Sequence, residues 1–264
     1  ALCAVQQRSP TFFAPRSSLM SDNIFTDRPL RCCKTELLYH LLCRCVLPEA
    51  AGGLEVDVVF VDTDYSLDML HLVSILDSKL SAADEAALRS CLSRLLFVHC
   101  YSSSQLLLTL HFLETTLSSR PALALILIDS ISAFYWVDRC EGGAMEPVGV
   151  LFWTLAHSFS DFWLLLLHRD YRITVFATCH AIRRPGVPSS SSDSERSYLC
   201  RSWQRLVTHR LLCSRQEPGD NMQIFTVHCT TSSSRVKASW SSSFCVTEAG
   251  VEFLSEENKC AARQ

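Results

Sequence analysis

The sequence predicts an α/β domain built on a mainly parallel sheet, with helices on both faces and an antiparallel extension at its carboxyl end. Three observations carry that expectation. Short β-branched runs end in an acid and feed segments of helical period; hydrophobic residues make up 48% of the chain against 19% charged; and strand-like segments separated by turns follow toward the carboxyl terminus. At 264 residues the chain is long enough for one large core, and a single domain is expected over residues 31–254 with a tail at 255–264.

The elements follow in order. Residues 1–30 lack both a helical and a strand period and are expected to be disordered or aberrant. Residues 56–62 (VDVVFVD) form a strand ending in an acid, and residues 66–80 place Leu67, Leu70, Val73 and Leu76 at helical spacing. The pair repeats as a strand at 95–100 and a helix at 102–117. Residues 122–129 (ALALILID) are a second buried strand ending in an acid, and 172–178 (RITVFAT) a fourth strand. Residues 183–197 (RRPGVPSSSSDSERS) hold proline, glycine and a serine run, so 183–200 reads as a mobile loop. Beyond it, 203–214, 222–229 and 244–253 are strand-like. No internal repeat is visible.

Charge and cysteine usage narrow the class of function. The formal charge of -3 supplies no global pull toward nucleic acid or anionic lipid, so such binding needs a local patch, for which Arg183, Arg184, Arg196, Arg201, Arg205 and Arg210 are the candidates. Fourteen cysteines are scattered through helices and strands with no secretory signal before them, which points to a reducing compartment. Cys32, Cys33, Cys43 and Cys45, with His40 nearby, fall inside a helical pattern rather than on paired tight turns, so buried thiols are expected and no metal. Residues 148–167 (VGVLFWTLAHSFSDFWLLLL) have the length of a membrane span but carry Asp161 and His157 near the middle. A charge at mid-bilayer costs about 2.5–3.5 kcal/mol, so a buried helix or sequence foreign to the domain is preferred and no membrane partner is expected.

Three places could carry chemistry. Lys34-Thr35 followed by ELLYHLL has the look of a phosphate-binding loop entering its helix, with a lysine for β/γ-phosphates and a hydroxyl for magnesium. The backbone cradle is missing: the glycine positions of G-x-x-x-x-G-K-[ST] hold Arg28 and Cys33, and no glycine occurs before Gly52. On spacing alone, an exposed lysine at a helix start explains Lys34. The strand-terminal Asp129 could stand behind magnesium and Asp64 could orient an attacking water, although strands of any doubly wound fold end in polar residues at this edge.

Four motifs in order make a resemblance specific. These are Lys34-Thr35-Glu36-Leu37-Leu38-Tyr39-His40-Leu41; Gly52-Gly53-Leu54-Glu55-Val56 through Val61-Asp62-Thr63-Asp64-Tyr65; Asp129-Ser130-Ile131-Ser132-Ala133-Phe134-Tyr135-Trp136; and Trp203-Gln204-Arg205-Leu206-Val207-Thr208-His209-Arg210. Together they resemble the eukaryotic RecA-family recombinase paralogues, nearest to the short member without an N-terminal helical domain. The likeness covers residues 34–145 and 170–254.

The resemblance implies a RecA-like P-loop ATPase core acting in DNA repair by homologous recombination. It implies a nuclear hetero-oligomer with other recombinase paralogues that assists the strand-exchange filament on single-stranded or branched DNA. By position Lys34 and Thr35 match nucleotide-loop residues, Asp129 the magnesium-associated acid, and Asp64 the place of a glutamate base. His180 falls where a glutamine senses the γ-phosphate, and Arg183, Arg184, Arg196 and Arg201 lie in the loop that faces DNA. ATP and magnesium are the cofactors so implied, but the absent glycines favour a scaffold over an active DNA-dependent ATPase using Lys34, Thr35, Asp129 and Asp64. The chain departs from the family at 26–33, where a strand and glycine loop belong, and at 146–169, where a polar amphipathic helix belongs. One or both segments are read as errors of coding-sequence prediction, and loss of the first strand is expected to leave a sheet edge open.

Overall fold

The computed structural model describes residues 2–5, 28–80, 84–134, 173–179, 181–183, 195–197, 207–215, 224–231 and 239–254. In chain order the first elements are strand β1 (Leu2–Val5), helix α1 (Arg28–Val46), strand β2 (Asp57–Asp62), helices α2 (Met69–Lys79) and α3 (Glu85–Ser93), and strand β3 (Leu95–His99). Helix α4 (Ser103–Ser119) and strands β4 (Leu123–Asp129) and β5 (Thr174–Thr178) follow. The rest is strand: β6 (Ala181–Arg183), β7 (Glu195–Ser197), β8 (His209–Arg215), β9 (Ile224–Thr231), β10 (Ser239–Thr247) and β11 (Gly250–Leu254).

One nine-stranded sheet runs β11-β10-β9-β8-β1-β5-β4-β2-β3. Strands β5, β4, β2 and β3 pair in parallel, and every pairing from β1 to β11 is antiparallel. The central parallel strands β2 and β4 carry near-continuous apolar runs because both of their faces are covered. Val58 and Phe60 point into a core formed with α1, α2 and α3, and Val59 and Val61 into a second core under α4. Period-two alternation thus gives one strand to two cores. Phe60, Leu38, Leu42 and Leu76 are fully buried, and each contributes about 1.5–3 kcal/mol relative to exposure.

Local chemistry sets the helix boundaries. Helix α2 begins at Met69, not at Ser66, because the Asp68 carboxylate caps it by accepting from the amides of Leu70 (2.9 Å) and His71 (3.2 Å). The amides of Ser66 and Leu67 are already committed to the Asp62 carboxylate at 3.2 and 3.3 Å. Asp84 and Ser102 cap α3 and α4 in the same way. Helix α3 had no counterpart in the sequence reading; its short span is held by that cap and by Cys91 in the core.

Four expectations are corrected. Part of the first thirty residues is structured: Leu2–Val5 is a strand and α1 begins at Arg28, while residues 6–27 lie outside the described residues. The open edge is closed, since β1 fills the slot between β5 and β8, antiparallel to both. The ends of the loop at 183–200 pair as a two-stranded ribbon, β6 with β7, because backbone pairing satisfies groups that composition alone leaves open. Residues 244–253 are not one strand: the chain reverses between Thr247 and Gly250, which pair across the turn, and Gly250 takes a φ of +95° that side chains avoid. The segment at 148–167 and the insert at 146–169 lie outside the described residues.

Candidate functional site

Strand register puts the two acid-tipped strands side by side. Strands β2 and β4 are parallel, with Asp62 level with Asp129 at the carboxyl edge of the sheet. The loop after β2 is knotted to the end of β4. The amides of Thr63 and Asp64 donate to the Asp129 carbonyl at 2.7 and 3.2 Å. The Thr63 hydroxyl donates to the Ser130 carbonyl at 2.7 Å and accepts from the Ser130 amide at 2.6 Å.

Asp129 is the centre of the site. It is 4% exposed, and its two carboxylate oxygens are both engaged: Oδ1 accepts from the Thr178 hydroxyl, and Oδ2 from the hydroxyls of Ser66 (2.5 Å) and Thr35 (3.4 Å). Burial pushes the Asp129 carboxyl above the ordinary range; the Ser66 and Thr178 hydroxyls and the Lys34 ammonium oppose that, and the Asp64 charge adds to it. The fold therefore brings Lys34, Thr35, Asp64 and Asp129 together. Ser66, Thr178 and Thr63 escaped the sequence reading. A hydroxyl four residues after a strand-terminal acid and a hydroxyl ending β5 were the available signals, and neither is distinctive until strand register is known.

Helix α1 backs the site. Tyr39 reaches the loop before α2, where its hydroxyl accepts from the Asp68 amide at 2.6 Å, and burial pushes its phenol up. Glu36 meets His71 at 2.9 Å. Burial raises the Glu36 carboxyl and the His71 charge opposes the rise.

A nucleoside triphosphate with magnesium does not fit these residues. Helix α1 starts at Arg28 and runs through Lys34 and Thr35, so the positions that should wrap phosphates are helical, and intrahelical hydrogen bonding takes the amides from about Cys32 onward. Lys34 is not an exposed lysine at a helix start: it lies in the second turn and is 4% exposed, which corrects the reading from spacing. Both oxygens of Asp129 are occupied by hydroxyls. The Thr35–Asp129 contact is thus present without the cradle that would give it a ligand.

The remaining candidates divide. Arg183 and Arg196 lie on β6 and β7, where register sets Arg183 opposite Glu195 and Arg196 opposite Ile182. Arg210 is on β8. His180, Arg184, Arg201 and Arg205 lie outside the described residues. Cys33, Cys43 and Cys45 are buried along α1, and burial pushes the thiols of Cys43 and Cys45 up to about 12. Among the described residues no helix is long and apolar enough to cross a membrane.

Comparison with known proteins matches residues 18–197 to the Rad51 family model. The chain is 40% identical over 262 residues to a mouse protein (Mus musculus) named DNA repair protein XRCC2, covering 95% of this chain and 92% of that one. It is 25% identical over 255 residues to the Arabidopsis thaliana DNA repair protein XRCC2 homolog, covering 72% and 68%. It is 26% identical over 200 residues to DNA repair protein RAD51 homolog 4 of Bos taurus, covering 74% and 57%. With well over half of the chain matched, acids level on adjacent parallel strands and a Lys-Thr pair on the helix behind them, this chain belongs to the Rad51 family.

Proposed function

We propose that the chain works in DNA repair by homologous recombination, in the nucleus, as a non-catalytic subunit of a complex with other recombinase paralogues. Repair is what the names of its mouse, plant and bovine relatives carry, and family membership supplies the core. One observation carries the non-catalytic role: α1 is helical through the cradle positions and buries Lys34 against an Asp129 whose oxygens are already taken. In this reading the core is kept as a docking body. The arginines of 183–201 touch the backbone of single-stranded or branched DNA by sequence-independent charge contacts, within the complex.

The alternative is a DNA-dependent ATPase using Lys34, Thr35, Asp129 and Asp64, and the 3.4 Å Thr35–Asp129 contact is what favours it. Titration of the purified chain with fluorescent ATP separates the two. No saturable binding is expected at micromolar nucleotide; micromolar affinity lost in Lys34→Ala would refute the scaffold reading, and DNA-stimulated hydrolysis would then be the mark of the ATPase.

A further inference from the structure

Three rings stand together on the surface where β2 and β3 end. Tyr65 stacks on His99 with centroids 5.2 Å apart and planes at 20°, and leans against Tyr101 at 5.5 Å. Phe97 meets the edge of His99 at 4.3 Å. Tyr65 and Tyr101 are 57% and 64% exposed, so burial does not explain why they cluster. Tyr65 also holds a φ of +53°, a conformation that bulky side chains rarely take. Its neighbours fix it there: the Asp64 amide donates to the Asp129 carbonyl at 3.2 Å and the Ser66 amide to the Asp62 carboxylate at 3.2 Å.

Among the described residues, the turn that carries Tyr65 is acidic. Asp62, Asp64 and Asp68 belong to the same turn, and Asp62 approaches His99 at 3.7 Å. Arg94 and Arg120 sit at the opposite, amino ends of the strands, paired with Glu55 and Asp57. Aromatic faces are themselves electronegative. A planar guanidinium suits such a place, because it stacks over an exposed ring and its charge is drawn by the acids of the turn. Nucleobases also stack on exposed rings, but the half-buried Asp64 and exposed Asp68 of the same turn repel their phosphates.

We infer that the Tyr65–His99–Tyr101 patch is a docking surface for an arginine presented by a partner protein subunit. The inference rests on the reading of the chain as a subunit of a complex and names the chemistry of one contact within it.

The test is fluorescence anisotropy of the full chain with three labelled probes: a glycine-serine peptide bearing two arginines, the same peptide with lysines, and an oligothymidylate. The arginine peptide is expected to bind, more tightly than the lysine peptide, and to lose about tenfold in affinity on Tyr65→Leu while Tyr65→Phe retains it. Tyr101→Leu gives an independent reading should Tyr65→Leu fail to fold. Equal arginine-peptide affinity in wild type and the leucine variants overturns the inference, as does no binding by wild type at millimolar peptide. Oligothymidylate binding that depends on Tyr65 overturns it in favour of nucleic acid. Copurification with another recombinase paralogue tests the subunit reading separately. Peptide failure with copurification rejects the surface alone, and peptide binding without copurification rejects the complex alone.

Discussion

The Thr35 hydroxyl donates to Oδ2 of Asp129 across 3.4 Å, joining residues ninety-four positions apart in sequence. In an NTP-binding core that contact would serve a metal. Here it is one of three hydroxyl contacts that together satisfy a buried carboxyl group, so its first role is structural.

Removing the carboxyl should therefore cost stability. Asp129→Ala leaves three buried or half-buried hydroxyls without their acceptor and is expected to destabilise by about 2 kcal/mol, with Asp129→Asn costing less. The pH dependence carries a definite sign. The folded pKa of Asp129 is raised, so its contribution is fully present below the unfolded value near about 4 and is lost as pH rises through the folded value. The Asn variant should gain on wild type in urea denaturation as pH rises above the unfolded value near about 4; a constant gap would contradict this.

His40 carries the opposite dependence. Burial, with help from Lys79 and Arg44, lowers its pKa from 6.5 to about 4, and its ring meets Phe253 edge-on at 5.4 Å. As pH falls below 6.5 the unfolded chain takes up a proton that the folded chain refuses, so stability is lost down to the folded value, by about 3 kcal/mol at most. His40→Phe should flatten this acid limb in equilibrium unfolding. An unchanged limb would place the loss elsewhere.

The link from α1 to β2 depends on two glycines in different ways. A Cβ on Gly53 would stand 1.9 Å from the Leu47 carbonyl oxygen, a backbone atom that cannot move aside. Gly53→Ala is expected to cost about 3 kcal/mol. Gly52 has φ +77° but nothing within 4 Å, so Gly52→Ala should cost only about 1 kcal/mol. Thermal melts of the pair check the order.

Tyr39 ties α1 to the loop before α2. Tyr39→Phe keeps the ring and strips the acceptor from the Asp68 amide, now bonded at 2.6 Å, for an expected loss of about 1–2 kcal/mol. Hydrogen exchange at the Asp68 amide should speed up, and an unchanged rate would show that the loop is held by other contacts.

Much of the fold was legible in residue order. Apolar runs ending in Asp62 and Asp129 announced β2 and β4, since a run buried on both faces must stop where polar side chains resume. The broken cradle was legible too, because glycine's absence is a fact about composition. The hairpin at Gly250 and the capped helix α3 were missed because each turns on a single residue that local periodicity does not weigh.

The sequence by itself determined which strands are central, which of them end in acids, and that no glycine stands at the cradle positions before Lys34. Only the tertiary structure decided that Ser66 and Thr178 occupy the oxygens of Asp129, that Leu2–Val5 fills the slot beside β5, and that Tyr65, His99 and Tyr101 meet. The reason is the same in each case. Strand order and register bring together atoms distant in the chain, and hydrogen bonds and ring contacts act only over a few ångströms.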